Sequence, residues 1–315
     1  KRIAISLLIL LLVFLLGGYV FFEVKFTPPP NYLTLSSSNA NIPITWTASK
    51  HSEIASLLLP VKIDGVPNQF YMQFDTGSPK TLFYKNRLAS IQARYPDQVP
   101  AMDSLSATTR QSFKLGDMQV SSEIFNVLDI GSAIDWSDTT KINVIGTIGS
   151  DMIEKKITIM NFKEGYIRFV DEIPEPYSNA ELMDFSFVKR KTLFPATVGG
   201  KQCKLLHDTG TSGFELITSK EIWEKMAKKK ALPVPAFEVN SWGRTLTAYN
   251  IASDQAIDFN MARVDLGEVT YIEGASFMQV ALMRMTGMGG MIGNKVFTNK
   301  ILILDCINRK YTILD

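Results

Sequence analysis

Apolar and polar positions alternate in short runs along most of this chain. "SLLLPVKI", "QFYMQF", "TTRQSFKL" and "TLFPATV" read as strands with one face turned inward, separated by turns rich in Gly, Asn and Asp. One run with helical spacing stands out, 219–230. It opens on "TSKEIWE", where Thr218 and Glu221 suggest a capping box, and ends in "KMAKKK", lysines suited to a helix C-terminus. The pattern therefore predicts a mainly β protein with brief helices.

The N-terminus breaks this pattern. Lys1 and Arg2 precede Ile3 to Phe22, twenty residues without a charge, about 30 Å of helix and the thickness of a bilayer core. The run is long for a signal peptide, and "YVFFEVKF" offers no small-x-small cleavage site. The expectation is a transmembrane signal anchor over 1–26, with the body extracytoplasmic (periplasmic or extracellular) and the basic end cytoplasmic. A Pro- and Ser-rich spacer, 27–42, follows.

Composition and charge narrow the function. The chain is 46% hydrophobic and 20% charged, ordinary for a folded protein. Setting aside Lys1, Arg2, Lys25 and Glu23 leaves 30 basic and 30 acidic residues, so no basic surplus argues for nucleic acid. Two cysteines, Cys203 and Cys306, exclude a disulfide scaffold and a four-cysteine zinc site; one bridge or two buried thiols both fit. No metal or cofactor is expected. The methionine-rich run 283–291 reads as a cleft-lining loop.

The chemistry lies in a repeat. "MQFDTGSPKTLFY" carries Asp75-Thr76-Gly77-Ser78, and "CKLLHDTGTSGFELI" carries Asp208-Thr209-Gly210-Thr211. Each follows a strand, a Gly-containing hairpin turn and a second strand. Downstream, a Leu-Gly turn ("KLGDMQV", "DLGEVTY"), then Gly-x-Ile-Gly (146–149 and 290–293), then two closing strands recur in the same order. This is an internal duplication. It divides the body into 43–172 and 184–315, joined by a Pro-rich acidic linker, 173–183.

These paired motifs resemble the pepsin-like aspartic proteases, from about residue 43 to 315. The resemblance implies a two-lobed, mainly β fold in which the turns meet on a two-fold axis. Asp75 and Asp208 would then be the catalytic pair, each loop braced by its lobe's apolar-apolar-Gly element. It implies that Thr76 and Thr209 bond across the interface, and that the Ser78 and Thr211 hydroxyls reach the outer carboxylate oxygens. Such bonds would lower the pair's pKa values and favour an acidic or mildly acidic optimum. Gly77 and Gly210 permit turns tight enough to aim backbone N–H groups at the carboxylates.

The implied function is an aspartic endopeptidase acting on extended peptide segments of exported or membrane-tethered proteins, with a monomeric ectodomain. The alternative is a catalytically silent peptide-binding module. Three departures bear on this. Pro79 follows the first motif. His207 precedes Asp208, and alternation along the strand points it away from the carboxyl, as a core histidine bonded to a backbone carbonyl. The first-lobe flap would fall near 103–116, which has no Tyr and no Gly-rich tip; Arg110 and Phe113 are candidate substitutes.

Overall fold

Strands with one inward face dominate, as the alternation requires. Thr109, Gln111, Phe113 and Leu115 are buried along Thr108–Leu115, and Thr192, Phe194, Ala196 and Val198 along Lys191–Val198. The structure, a computed structural model, describes residues 17–18, 24, 27–228, 234–241, 244–274 and 287–315. Tyr32–Asp315 form one compact unit. The apolar run 3–22 lies outside the described residues except for Gly17 and Gly18; among those described, no helix is long and apolar enough to cross a membrane. Residues 229–230 of the lysine run and 275–286, which include residues 283–286 of the methionine run, also lie outside them.

The duplication read from sequence is a duplication of sheet topology. In the first half, Phe70–Phe74 runs parallel to Val144–Ile148. That strand is antiparallel to Leu82–Tyr84, itself parallel to the end of Met118–Leu128. In the second half, Lys201–His207 runs parallel to Met288–Ile292, which is antiparallel to Leu216–Thr218, itself parallel to Glu268–Glu273. Even the register break repeats, between Tyr71 and Met72 and between Lys204 and Leu205. The Gly-containing turns carry Gly65 and the pair Gly199–Gly200 at positive φ, where a side chain would be strained.

The closing strands join the halves. Ile157–Asn161 pairs antiparallel with Ile301–Asp305, Ile159 opposite Ile303, and each forms a hairpin with the strand that follows it. Ile157–Asn161 is buried at every position, which explains its lack of alternation. Side chains from both halves merge into one core in which Phe83 packs edge-on against Phe113 and Phe125, and Phe194 stacks on Tyr311.

Several local expectations are corrected. A helix, Lys85–Arg94, anchored by buried Leu88 and Ile91, was not read from the sequence. The second helix is only Lys220–Met226, and its cap is Ser219, not Thr218, whose hydroxyl donates to Gly289 O at 2.5 Å. Leu115-Gly116 turns a hairpin between adjacent strands, but Leu266-Gly267 does not: Arg263–Asp265 pairs back onto Ala256–Asp258. Of the two alternatives left open for the cysteines, free thiols hold, Cys306 buried and Cys203 half-buried. Of the two flap candidates, Phe113 is fully buried in the core, and Arg110 is exposed and paired with Glu123. The segment instead makes a tight turn bridged at Asp103 and Thr108, with Leu105 exposed at its tip.

Candidate active site

Each Asp directly follows a strand whose last residue is buried and is held there by its neighbour. Asp75 N donates to Ile148 O at 2.9 Å, and Asp208 N to Ile292 O at 3.0 Å. The apolar-apolar-Gly elements thus brace both loops. The bracing then differs. Ser150 N and Oγ both donate to Ser78 O, and Asp151 accepts from Thr81 N and Oγ1, each at 2.7 Å. In the second half Asn294 Nδ2 donates to Ser212 Oγ at 2.8 Å. Gly149 and Gly293 sit against the loops' backbone, where any Cβ would collide.

The turns interlock through their threonines. Thr76 N donates to Thr209 Oγ1 at 2.9 Å, and Thr209 N to Thr76 Oγ1 at 3.0 Å. Thr76 Oγ1 in turn donates to His207 O at 3.1 Å, and Thr209 Oγ1 to Phe74 O at 2.7 Å. Both side chains are fully buried, so all four bonds form away from water. Thr76→Val should therefore strand the Thr209 N–H and the His207 carbonyl. The expected cost is about 2–4 kcal/mol, a fall in Tm of roughly 5–10 °C, with Thr76→Ser close to the parent. Equal melting of the Val variant and the parent would remove the interlock as a source of stability.

The interlock places the two carboxyls together. Asp75 and Asp208 are hydrogen-bonded to each other, and each keeps an edge open to solvent. Asp75 Oδ1 accepts from Ser78 N at 3.0 Å, and Asp208 Oδ1 from Gly210 N at 2.8 Å. The glycines have a second role. A Cβ on Gly77 would fall 2.5 Å from both Asp208 carboxyl oxygens, and one on Gly210 would fall 2.6 Å from Asp75 Oδ1. Each turn presents a bare Cα to the other's carboxyl.

No family model matches the chain, and no curated protein matches its sequence. The site is read from its own geometry.

The electrostatics follow from burial. Asp208 is raised to about 7, first by burial, then by the charge of Asp75. Asp75 is also raised by burial, but the hydrogen bond from Asp208 pulls it back. The pair therefore shares one proton, weighted toward Asp208, the more strongly raised of the two. The hydroxyls expected on the outer carboxylate oxygens are elsewhere: Ser78 Oγ donates to Lys80 O and Thr211 Oγ1 to Asp208 O, both at 2.9 Å. They shape the turns, and the expected lowering of the pair does not occur.

His207 does point away from the site, into a fully buried slot between Phe194 and Phe297. It is not bonded to a carbonyl; Asn294 is its polar neighbour, and burial holds it down at about 4. Sequence reading missed Tyr84, Asp151, Asn294 and Lys191. The Tyr84 phenol bonds Thr147 Oγ1 at 2.9 Å and feels the Asp75 charge, and Lys191 Nζ donates to Gly77 O. Asp151 and Asn294 follow Gly-x-Ile-Gly closely, a usable signal; Lys191 had none. Among the described residues, no three His, Cys, Asp or Glu side chains gather to hold a metal ion.

Proposed function

We propose that the chain is an aspartic endopeptidase of the two-lobed, pepsin-like kind. The observation that carries this reading is the pair of interlocked Asp-Thr-Gly turns, with hydrogen-bonded carboxyls each facing the other's glycine. Two carboxyls so close share one proton, the arrangement for which the handling of water by aspartic proteases is the standard example. Asp75, ionised, takes a proton from a water held between the carboxyls. Asp208 donates its proton to the peptide carbonyl oxygen as the water oxygen adds to the carbon. The resulting gem-diol collapses with a proton passed to the leaving amine, and no covalent enzyme intermediate forms.

The substrate is an extended peptide segment, bound where the halves meet. The apolar run 3–22 anchors the enzyme to a membrane, with the body outside the cytoplasm, and favours exported or tethered substrates. A second reading, a silent peptide-holding module, draws on the first-half turn at Asp103–Thr108, which offers no tyrosine to cover a substrate.

Digestion of a diverse peptide mixture across pH 3–9, with products read by mass spectrometry, separates the two. The active form holds one proton, so cleavage should fall above about 7 as Asp208 ionises. It should fall again on the acid side, where Asp75 is protonated above its ordinary carboxylate value. The expected optimum is mildly acidic. A folded protein that cleaves nothing at any pH would leave the binding module.

A further inference from the structure

Lys191 belongs to neither Asp motif, yet the fold delivers it to the dyad. It opens the strand Lys191–Val198, immediately after Lys189 and Arg190, both at positive φ (51° and 60°). This turn from the second half brings Arg190 and the residue after it, Lys191, onto the Asp75 loop. Arg190 Nη1 donates to Pro79 O at 3.1 Å and Nη2 to Glu154 Oε2 at 3.0 Å. One residue on, Lys191 Nζ donates to the carbonyl oxygen of Gly77. Gly77 is also the residue whose bare Cα meets the Asp208 carboxyl, so a cation fixed there lies beside both acids.

We propose that Lys191 is a positioning residue of the dyad: its ammonium, pinned on the Gly77 carbonyl, supplies the charge against which Asp75 stays ionised while Asp208 holds the shared proton. With one proton the pair carries a single negative charge in a largely desolvated place, which burial alone disfavours. Lys191 makes the site neutral. A lysine free to turn about its long stem would spread its charge through solvent; the bond to Gly77 and partial burial of the stem hold it in place.

The other ionisable groups nearby do not substitute for it. The Tyr84 phenol is bonded to Thr147, and burial raises it further from ionisation. His207 lies behind the strand, neutral between two aromatic rings. Asp151 is taken up by Thr81 with the Arg190 charge nearby, and Glu154 pairs with Arg190. Lys191 acts on both carboxyls, lowering each, and they in turn oppose the fall that burial imposes on its ammonium.

The inference rests on the peptidase reading for its use but not for its test. Asp carboxyl carbons labelled with carbon-13 are titrated by NMR in the full 315-residue chain, with Asp75 and Asp208 assigned by their Asn variants. Lys191→Met, Lys191→Gln and Lys191→Arg are compared with the parent. Without the positive charge both titrations should move to higher pH, the later one by about one pH unit. Gln, which keeps a donor for Gly77 O but no charge, should behave as Met does. Arg should stay with the parent, and both limbs of the pH–activity profile should follow the titrations.

Unchanged titrations in the Met and Gln variants would overturn the proposal, whatever happens to stability or rate. If the titrations move but no peptide is cleaved, the peptidase reading fails and Lys191 keeps its role. If peptides are cleaved and the titrations do not move, the reverse holds.

Discussion

Asp208→Asn should lose peptide cleavage by at least about a thousand-fold and, at neutral pH, give a more stable protein. The first effect follows because an amide cannot hand over the proton that the carbonyl oxygen needs. The second follows from linkage. Asp208 titrates at about 7 in the folded chain against a reference of 3.8, so between those values the folded state binds more protons than the unfolded one. Stability therefore falls as pH rises through that window, and Asn removes the loss. The gain above pH 7 should be of the order of 2–4 kcal/mol.

His207 gives the control. Burial lowers it from 6.5 to about 4, so its contribution is lost as pH falls through that interval, the opposite slope over nearly the same range. Across about pH 4 to 6.5 the variant's Tm should therefore rise more steeply with pH than the parent's, in which Asp208 opposes His207. Chemical or thermal unfolding across pH 4–8 measures both. A variant that is inactive and less stable at pH 7.5 would mean that Asp208 matters to the fold in a way its buried charge does not capture.

Gly77→Ala should cost activity at least about a hundred-fold while leaving both proposed catalytic side chains in the sequence. A methyl at this position would sit 2.5 Å from both oxygens of Asp208, inside any van der Waals contact, so the two turns must part. Parting them stretches the threonine interlock and breaks the hydrogen bond between the acids, and the shared proton loses its second owner. A drop in kcat with little change in KM is the form expected on the peptidase reading, in which a peptide's side chains would bind away from the two acids. Gly210→Ala, facing Asp75 at 2.6 Å, should fail in the same way. An alanine variant with parental kcat would show that the carboxyls tolerate wider spacing than a shared proton allows.

The sequence by itself determined the strands, the duplication and the identity of the paired turns. Alternation with a period of two marks which face of Thr108–Leu115 or Lys191–Val198 is buried, and repetition of ordered motifs marks equivalent positions in each half. Those signals are local or self-similar, so they survive in one dimension. Lys85–Arg94 escaped because only Leu88 and Ile91 are buried on it, too little apolar spacing to stand out. The hydroxyls of Ser78 and Thr211 were misplaced because a turn offers them several acceptors at similar reach, and only the folded backbone decides among them.

Tertiary structure alone decided which acid holds the proton and what stands beside it. Asp75 and Asp208 have nearly the same local sequence, yet burial and their mutual hydrogen bond push them apart. Lys191 reaches Gly77 across more than a hundred residues of chain, through a turn whose two positive φ values no pattern announced. Proton sharing and charge placement depend on distances between groups that the chain brings together only by folding, because electrostatic energy in a desolvated site is set by separation and surroundings, not by order along the backbone.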